Sequence, residues 1–281
     1  MQIGARLFDG PGPFLMGVVN ATPDSFSDGG RYLELDSAVG QAERLAAEGA
    51  DLVDLGGEST RPGAAPVDAA EERRRVVPVI ERLRARGFAL PISVDTSKAE
   101  VARAALEAGA DLINDVSGLR DPALAAEVAR AGVPVVVMHS RGTPADMARR
   151  ATYADLLREV AAELREALAR GAAAGLRESQ VILDPGLGFA KTPAQTVELL
   201  ARVGELRSLG RPLLVGPSRK RFIGELTGAP VEARLPGTLA AVTACVLAGV
   251  ELIRVHDVAA ARQAAQVAAA LRKAGGSLLL R

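Results

Sequence analysis

Eight short apolar runs, spread along the chain and separated by longer segments of helical period, constrain this sequence more than any other feature. The runs cover 14–20, 52–55, 92–95, 112–115, 135–139, 181–184, 213–216 and 252–255. Each is rich in Val, Ile and Leu and apolar at consecutive positions, as a strand covered on both faces must be. Helical candidates fill the intervals at 36–49, 68–86, 97–108, 121–131, 154–174, 193–204, 236–248 and 257–274. Apolar residues recur there at three and four, as in Val101, Ala105 and Leu106, or Leu156, Leu157, Val160 and Leu164. Asp121-Pro122 and Thr192-Pro193 set a capping side chain before a proline of the first helical turn. Gly49, Gly87, Gly109, Gly132 and Gly249 each follow a helical run, where a left-handed residue ends it. Strand–helix alternation repeated eight times predicts an α/β fold, one domain over residues 1–281, closed as a single (β/α)8 TIM barrel. A doubly wound open sheet is the rival. Ala-Glu-Gly-Ala-Asp-Leu-Val-Asp (47–54) and Glu-Ala-Gly-Ala-Asp-Leu-Ile-Asn-Asp (107–115) recur, one helix–turn–strand solution used twice.

Composition narrows the function classes. Hydrophobic residues at 48% allow a large core, and 34 basic against 34 acidic residues leave no excess charge for a nucleic acid or membrane surface. The start, Met-Gln-Ile-Gly-Ala-Arg, lacks the basic-then-apolar pattern of a secretory signal, and no apolar run reaches membrane-spanning length. A cytoplasmic protein is therefore expected. The single cysteine, Cys245, lies in an Ala-rich helical pattern and is expected to be buried packing.

In a barrel of this kind the chemistry sits on the loops that follow the strands. Here those ends are polar almost throughout. The first strand ends at Asn20 and runs into Thr22-Pro-Asp-Ser-Phe-Ser-Asp-Gly-Gly30; the second opens into Gly56-Gly-Glu-Ser-Thr-Arg-Pro-Gly63. The others end at Asp95-Thr-Ser-Lys98, Asn114-Asp115, Met138-His139, Asp184-Pro-Gly, Gly216-Pro-Ser-Arg-Lys220 and Arg254-Val-His256-Asp257. One Asp ending one strand is an ordinary helix cap. Polar side chains ending nearly every strand describe a concave polar site.

Asp95, Asn114 and Asp184 suit a flat heterocycle with several donors on its edge, because a carboxylate accepts two parallel N–H bonds. Arg61, Arg219, Lys220, Arg254 and His256 supply cationic donors, and the last two loops are the usual phosphate site of such barrels. Arg254 interrupts a buried apolar strand and needs a partner or ligand there. The long loops after the first two strands, rich in Gly, Ser, Thr and Pro, have the character of binding loops or lids. Gly186-Leu-Gly188 lacks the third glycine of a dinucleotide site, and His139 and His256 are too isolated for a zinc site.

These strings resemble the dihydropteroate synthase family of pterin-binding barrels. Met16-Gly-Val-Val-Asn-Ala-Thr-Pro-Asp-Ser-Phe-Ser-Asp-Gly-Gly30 is similar to its first signature, and Asp51-Leu-Val-Asp-Leu-Gly-Gly-Glu-Ser-Thr-Arg-Pro-Gly-Ala64 to its second. Ser93-Val-Asp-Thr-Ser-Lys98, Asn114-Asp115, Leu183-Asp-Pro-Gly-Leu-Gly-Phe189, Ser218-Arg-Lys220 and Arg254-Val-His-Asp257 follow in family order. The resemblance implies that 4-aminobenzoate displaces pyrophosphate from a hydroxymethyl-dihydropterin pyrophosphate, with Mg2+, in a homodimer packed through late helices. It also implies roles. Asp95, Asn114, Asp184 and Lys220 would take the pterin edge and Arg254 its face. Asn20, Arg61 and His256 would hold pyrophosphate, Asn20 near Mg2+. Phe26, Thr60, Pro62, Phe189, Ser218 and Arg221 would form the aminobenzoate pocket, and Asp28 would act from the first loop.

Three departures stand out: His139-Ser-Arg-Gly-Thr-Pro for the common His-Met-x-Gly-x-Pro, Ala190 where Gly is usual, and Arg221 where many relatives have Ser. A corrinoid-linked pterin methyltransferase, a Schiff-base aldolase using Lys220 and a catalytically silent pterin binder are the alternatives.

Overall fold

In a computed structural model describing residues 1–10, 12–21, 31–59 and 64–275, the elements run β1 (Gln2–Ile3), β2 (Arg6–Leu7), β3 (Phe14–Asn20), α1 (Arg31–Ala47), β4 (Leu52–Gly56), α2 (Ala69–Ala85), β5 (Ile92–Asp95), α3 (Ala99–Glu107), β6 (Leu112–Asp115), α4 (Pro122–Ala131), β7 (Val135–Met138), α5 (Leu156–Ala173), β8 (Val181–Asp184), α6 (Pro193–Ala201), β9 (Leu214–Val215), α7 (Arg221–Thr227), α8 (Leu235–Leu247), β10 (Leu252–Val255) and α9 (Val258–Gly275). Strands β3 to β10 are parallel, in the order β8-β7-β6-β5-β4-β3-β10-β9. A parallel bridge from Leu183 to Leu213 joins the two ends, and the Leu183 amide donates to the Pro212 carbonyl at 2.9 Å. The sheet closes as the (β/α)8 barrel that the alternation predicts.

The period of two along each strand divides the core. Leu15, Val19, Val53, Leu55, Val94, Ile113, Val137, Leu183 and Ile253 point outward into the layer shared with the helices. Met16, Leu52, Leu112, Val136, Ile182, Leu214 and Leu252 point inward and fill the barrel floor. The antiparallel β1–β2 hairpin brings Ile3, and Phe8 just after it, into the same cluster, closing the end where the strands begin. Phe8 meets Phe14 edge to face, with ring centroids 4.9 Å apart.

The recurring phrase is a registration device. After Gly49 and Gly109, both at positive φ, an Asp opens the strand. Asp51 Oδ2 accepts the Leu15 amide and Asp111 Oδ2 the Ile92 amide, each at 2.8 Å. Each Asp amide in turn donates to the carbonyl of that same neighbour, again at 2.8 Å. Glu251 repeats the pattern before β10, its Oε2 accepting the Leu213 amide at 2.9 Å. At these three strand entrances an acid thus fixes the alignment against the adjacent strand. Arg6 and Arg262 pair with Asp51, Arg84 with Asp111 and Arg207 with Glu251.

Helix boundaries follow the cap chemistry. Asp121 Oδ1 accepts the Ala123 amide at 2.8 Å, and Thr192 and Gln195 form a reciprocal capping box. Gly132 ends α4 at φ +72, in the left-handed region that a side chain disfavours. Two expectations shift. The helix from 193 ends at Ala201 and continues as a 3-10 turn over Val203–Leu209. The short helix α7 fills a stretch where hydrophobic period alone suggests none. Among the described residues no helix is long and apolar enough to cross a membrane, and Cys245 is fully buried.

The hairpin offers a contrast within two adjacent residues. Phe8 is buried in the floor, whereas Leu7 is 57% exposed. Phe8→Ala is expected to lower stability by about 3–5 kcal/mol, and Leu7→Ala by less than about 0.5 kcal/mol, in denaturant unfolding.

Candidate active site

Two residues beyond the floor, the inward positions change chemistry. Leu52 is followed by Asp54, Leu112 by Asn114, Ile182 by Asp184 and Leu252 by Arg254. Asp54 is completely buried. Its Oδ2 accepts from Arg254 Nε at 2.6 Å and from Asn114 Nδ2 at 3.0 Å. Arg254 reaches on with Nη2 to Asp95 Oδ2 at 3.3 Å. One carboxylate below the site therefore fixes a guanidinium and an amide within it. Burial opposes the Arg254 charge, but Asp54 and Asp95 outweigh it and hold its pKa above the ordinary arginine value.

Asp95, Asn114 and Asp184 are all nearly buried, at the C-terminal ends of β5, β6 and β8. Burial, reinforced by the Asp54 carboxylate and opposed by Arg254, pushes Asp95 up to about 8. Burial also raises Asp184, against the Gly186 amide that donates to its Oδ1 at 2.7 Å and against nearby Lys220. Burial pushes Lys220 down to about 8, against the pull of Asp184. The Lys220 Nζ stands 4.6 Å from the centre of the Phe189 ring. The four residues assigned to a pterin edge thus share one electrostatic neighbourhood with Arg254. Asp115, one residue past Asn114 and on the opposite face, instead accepts the Ser117 and Leu119 amides at 2.8 and 2.5 Å and shapes its loop.

The loops after β9 and β10 lock together beside this group. Ser218 Oγ lies 2.9 Å from His256 Nδ1 and accepts the His256 amide at 3.3 Å. Arg219, counted from the sequence among the cationic donors, is instead committed to Asp257: Nε donates to Oδ2 at 3.0 Å and Nη2 to Oδ1 at 2.6 Å. Its φ of +55 is enforced by its amide bond to Thr238 Oγ1 at 2.9 Å and by Arg234, which donates to its carbonyl at 3.1 Å. Arg221 extends along the exposed side of α7 to Glu225 at 2.7 Å. Asn20 ends β3 with an exposed side chain. Lys98 pairs with Glu58 and with the fully buried Glu72, securing the stem of the loop after β4. Phe26, Asp28, Thr60, Arg61 and Pro62 lie outside the described residues.

Of the sequence departures, Ser140 accepts at its carbonyl from Arg120. Beside it Arg141, at the variable position of that string, pairs with Glu163 and Glu159 and lies 3.9 Å above the Tyr153 ring. Ala190 adopts φ +48, the left-handed conformation in which glycine is free of strain. His139 is buried between Lys191, 2.8 Å from Nδ1, and Glu163, 3.1 Å from Nε2. Burial and Lys191 push its pKa down to about 4. The ring is therefore neutral, with Nδ1 accepting from the lysine and Nε2–H donating to the carboxylate.

Asp54 is the residue that sequence reasoning passed over, and a signal for it exists. In the recurring phrase Asp54 and Asn114 occupy equivalent positions, and Ala-Gly-Val-Glu-Leu-Ile-Arg (248–254) places Arg254 at the same one. Three repeats of one phrase supply an acid, an amide and a guanidinium at one inward register, and they bond to each other.

Comparison with known proteins gives this geometry a family. A model described as "Pterin binding enzyme" matches residues 16–256. A dihydropteroate synthase from Synechocystis is 44% identical over 96% of this chain and 94% of its own length. The crystal structure of the Yersinia pestis dihydropteroate synthase in a sulfonamide drug complex superimposes with a TM-score of 0.91, at 42% identity, over 97% of this chain and 99% of that one. That of the Xanthomonas albilineans enzyme with 4-aminobenzoic acid has a TM-score of 0.86 at 50% identity, over 92% and 93% of the two chains. The chain belongs to the pterin-binding enzymes and, within them, to the dihydropteroate synthase family.

The inner triad makes a measurable demand. Asp54→Ala leaves Arg254 without its buried counter-charge and is expected to cost about 3 kcal/mol in urea unfolding. Asp54→Asn is expected to lower the Asp95 pKa from its value of about 8, since it removes the like charge that helps raise it; carboxyl NMR titration reads this directly.

Proposed function

We propose that this chain catalyses dihydropteroate synthesis, in which 4-aminobenzoate displaces pyrophosphate from 6-hydroxymethyl-7,8-dihydropterin pyrophosphate on the route to folate. The observation that carries the reading is the convergence of Asp95, Asn114, Asp184, Lys220 and Arg254 at the C-terminal mouth of a barrel of this family. Asp95 and Asp184 accept the amino and lactam N–H donors of the pterin edge. Asn114 and Lys220 complete the edge, and Arg254 lies against the ring. Asn20, Arg61 and His256 take the pyrophosphate, and Ser218, bonded to His256, lies between them and the aminobenzoate pocket. Phe26, Thr60, Pro62, Phe189 and Arg221 form the aminobenzoate pocket, and Asp28 acts from the first loop.

The bond between the pterin methylene and the pyrophosphate oxygen breaks first, its electron pair leaving with the pyrophosphate. The pterin delocalises the resulting cation and the Asp95 carboxylate stabilises it. The aminobenzoate nitrogen then forms the C–N bond and passes one of its two protons to solvent water. No protein nucleophile takes part. Asn20, exposed at the rim, carries an amide oxygen, a hard donor of the kind that would hold Mg2+. Such an ion would supply positive charge to offset that of the leaving group. A homodimer through the late helices is supported by exposed apolar side chains on α7 and α9: Leu226, Val267 and Leu271 are 68%, 62% and 51% exposed. The charged, water-soluble substrates support a cytoplasmic location.

The test is pyrophosphate release from the pterin substrate, with and without 4-aminobenzoate and Mg2+; no release under any condition refutes the activity. Asp95→Ala and Arg61→Ala are each expected to slow turnover by about 100- to 1,000-fold. Because Asp95 holds its proton up to about pH 8 in the free protein and only the carboxylate accepts the pterin N–H groups, pterin affinity should strengthen as pH rises towards that value. Asp95→Asn is expected to flatten this dependence in a calorimetric titration series.

A further inference from the structure

The loop that leaves β8, residues 185–190, carries Phe189 to the mouth of the barrel along a contorted path. Gly186, Gly188 and Ala190 all take left-handed backbone angles, at φ +69, +78 and +48. The loop is wedged against β7, since a Cβ on Gly186 would lie 2.0 Å from the His139 carbonyl oxygen. Such a path turns carbonyl groups inward, away from the bonds that a helix or strand would give them. Lys191 collects them. Its Nζ, on a side chain buried at the end of the loop, donates to the Gly186 carbonyl at 3.1 Å, the Phe189 carbonyl at 3.0 Å and His139 Nδ1 at 2.8 Å. Burial pushes Lys191 down to about 7, against the pull of Asp184 and Glu163, and in its ammonium form these three bonds use all three protons. The His139 ring is itself held by Glu163, which Arg141 braces. Tyr153 adds a second tether, its hydroxyl donating to the Ala190 carbonyl at 3.0 Å.

We propose that Lys191 is a positioning residue for the aminobenzoate subsite: its buried ammonium, anchored on His139, pins the carbonyls on either side of the loop and so sets the Phe189 ring beside Lys220. This inference rests on the proposed activity, and on Phe189 facing the aromatic amine. Lys191 touches no reacting atom. Its influence runs through the backbone of the loop, and it bears on the second substrate more than the first. The pterin-edge residues Asp95 and Asn114 sit at the ends of β5 and β6, away in sequence from the loop; Asp184, at the end of β8, is the edge residue that the loop reaches, through the Gly186 amide at 2.7 Å.

Steady-state kinetics with both substrates varied tests this in Lys191→Met, which keeps the chain length and removes the three donors. The KM for 4-aminobenzoate is expected to rise at least about tenfold, as the loss of charge-assisted hydrogen bonds implies. The KM for the pterin pyrophosphate should stay within about threefold, and hydrogen exchange in 185–190 should accelerate. Tyr153→Phe, which removes the second tether from a partly exposed site, should raise the aminobenzoate KM in the same direction by about threefold. If Lys191→Met does not fold, Tyr153→Phe reads the same split. An unchanged aminobenzoate KM, or an equal rise in both KM values, overturns the proposal. Wild-type protein that releases no pyrophosphate refutes the activity itself, whereas an active wild type with no split in the variants refutes only the role of Lys191.

Discussion

The buried contact between Asp54 and Arg254 is the interaction on which the site depends. A guanidinium inside a barrel is costly unless a carboxylate meets it in good geometry and the remaining groups find partners. Here the 2.6 Å contact from Arg254 Nε supplies the first condition. Asn114, bonded to the same Asp54 oxygen, and Asp95 above supply much of the second. The pair lies just past the apolar floor, where the strands stop filling the barrel with Leu and begin to present polar groups. Its position turns a packed cylinder into a packed base with a charged mouth.

That arrangement also explains how acids and bases of unusual strength coexist in a small space. Burial and the like charge of Asp54 raise Asp95, Arg254 restrains it, and Asp184 and Lys220 pull each other towards their charged forms while burial pushes both towards neutrality. A ligand presenting several N–H donors relieves the carboxylates, and a leaving group carrying negative charge meets the cations. The two halves of the proposed reaction thus fall on two sides of one electrostatic field, built before any substrate arrives.

Much of this was legible in the sequence, for physical reasons. Buried parallel strands cannot disguise themselves: 14–20, 92–95, 112–115, 181–184 and 252–255 read as strands and are strands. Proline after a capping side chain and glycine after a helical run are equally local, and Asp121, Thr192 and Gly132 behave accordingly. Strand-end polarity located Asp95, Asn114, Asp184, Lys220 and Arg254 together. Contacts made across the barrel were not legible in the same way. Asp54 looked like one letter of a signature until its register matched Asn114 and Arg254. Arg219 resembled any other cation of the rim until its partner, Asp257, came from the turn after β10, 38 residues away. Lys191 followed a family string, and only the fold shows its ammonium beneath the loop. The helix α7 escaped because seven residues hold too few turns for a period to show.

The most direct test of the account is a crystal structure of this protein with a non-reactive pterin bound. The account requires the pterin edge to meet Asp95, Asn114 and Asp184, with Lys220 beside it and Arg254 still bonded to Asp54. A pterin bound elsewhere on the rim, or an Arg254 that leaves Asp54 to reach the ligand, would contradict it.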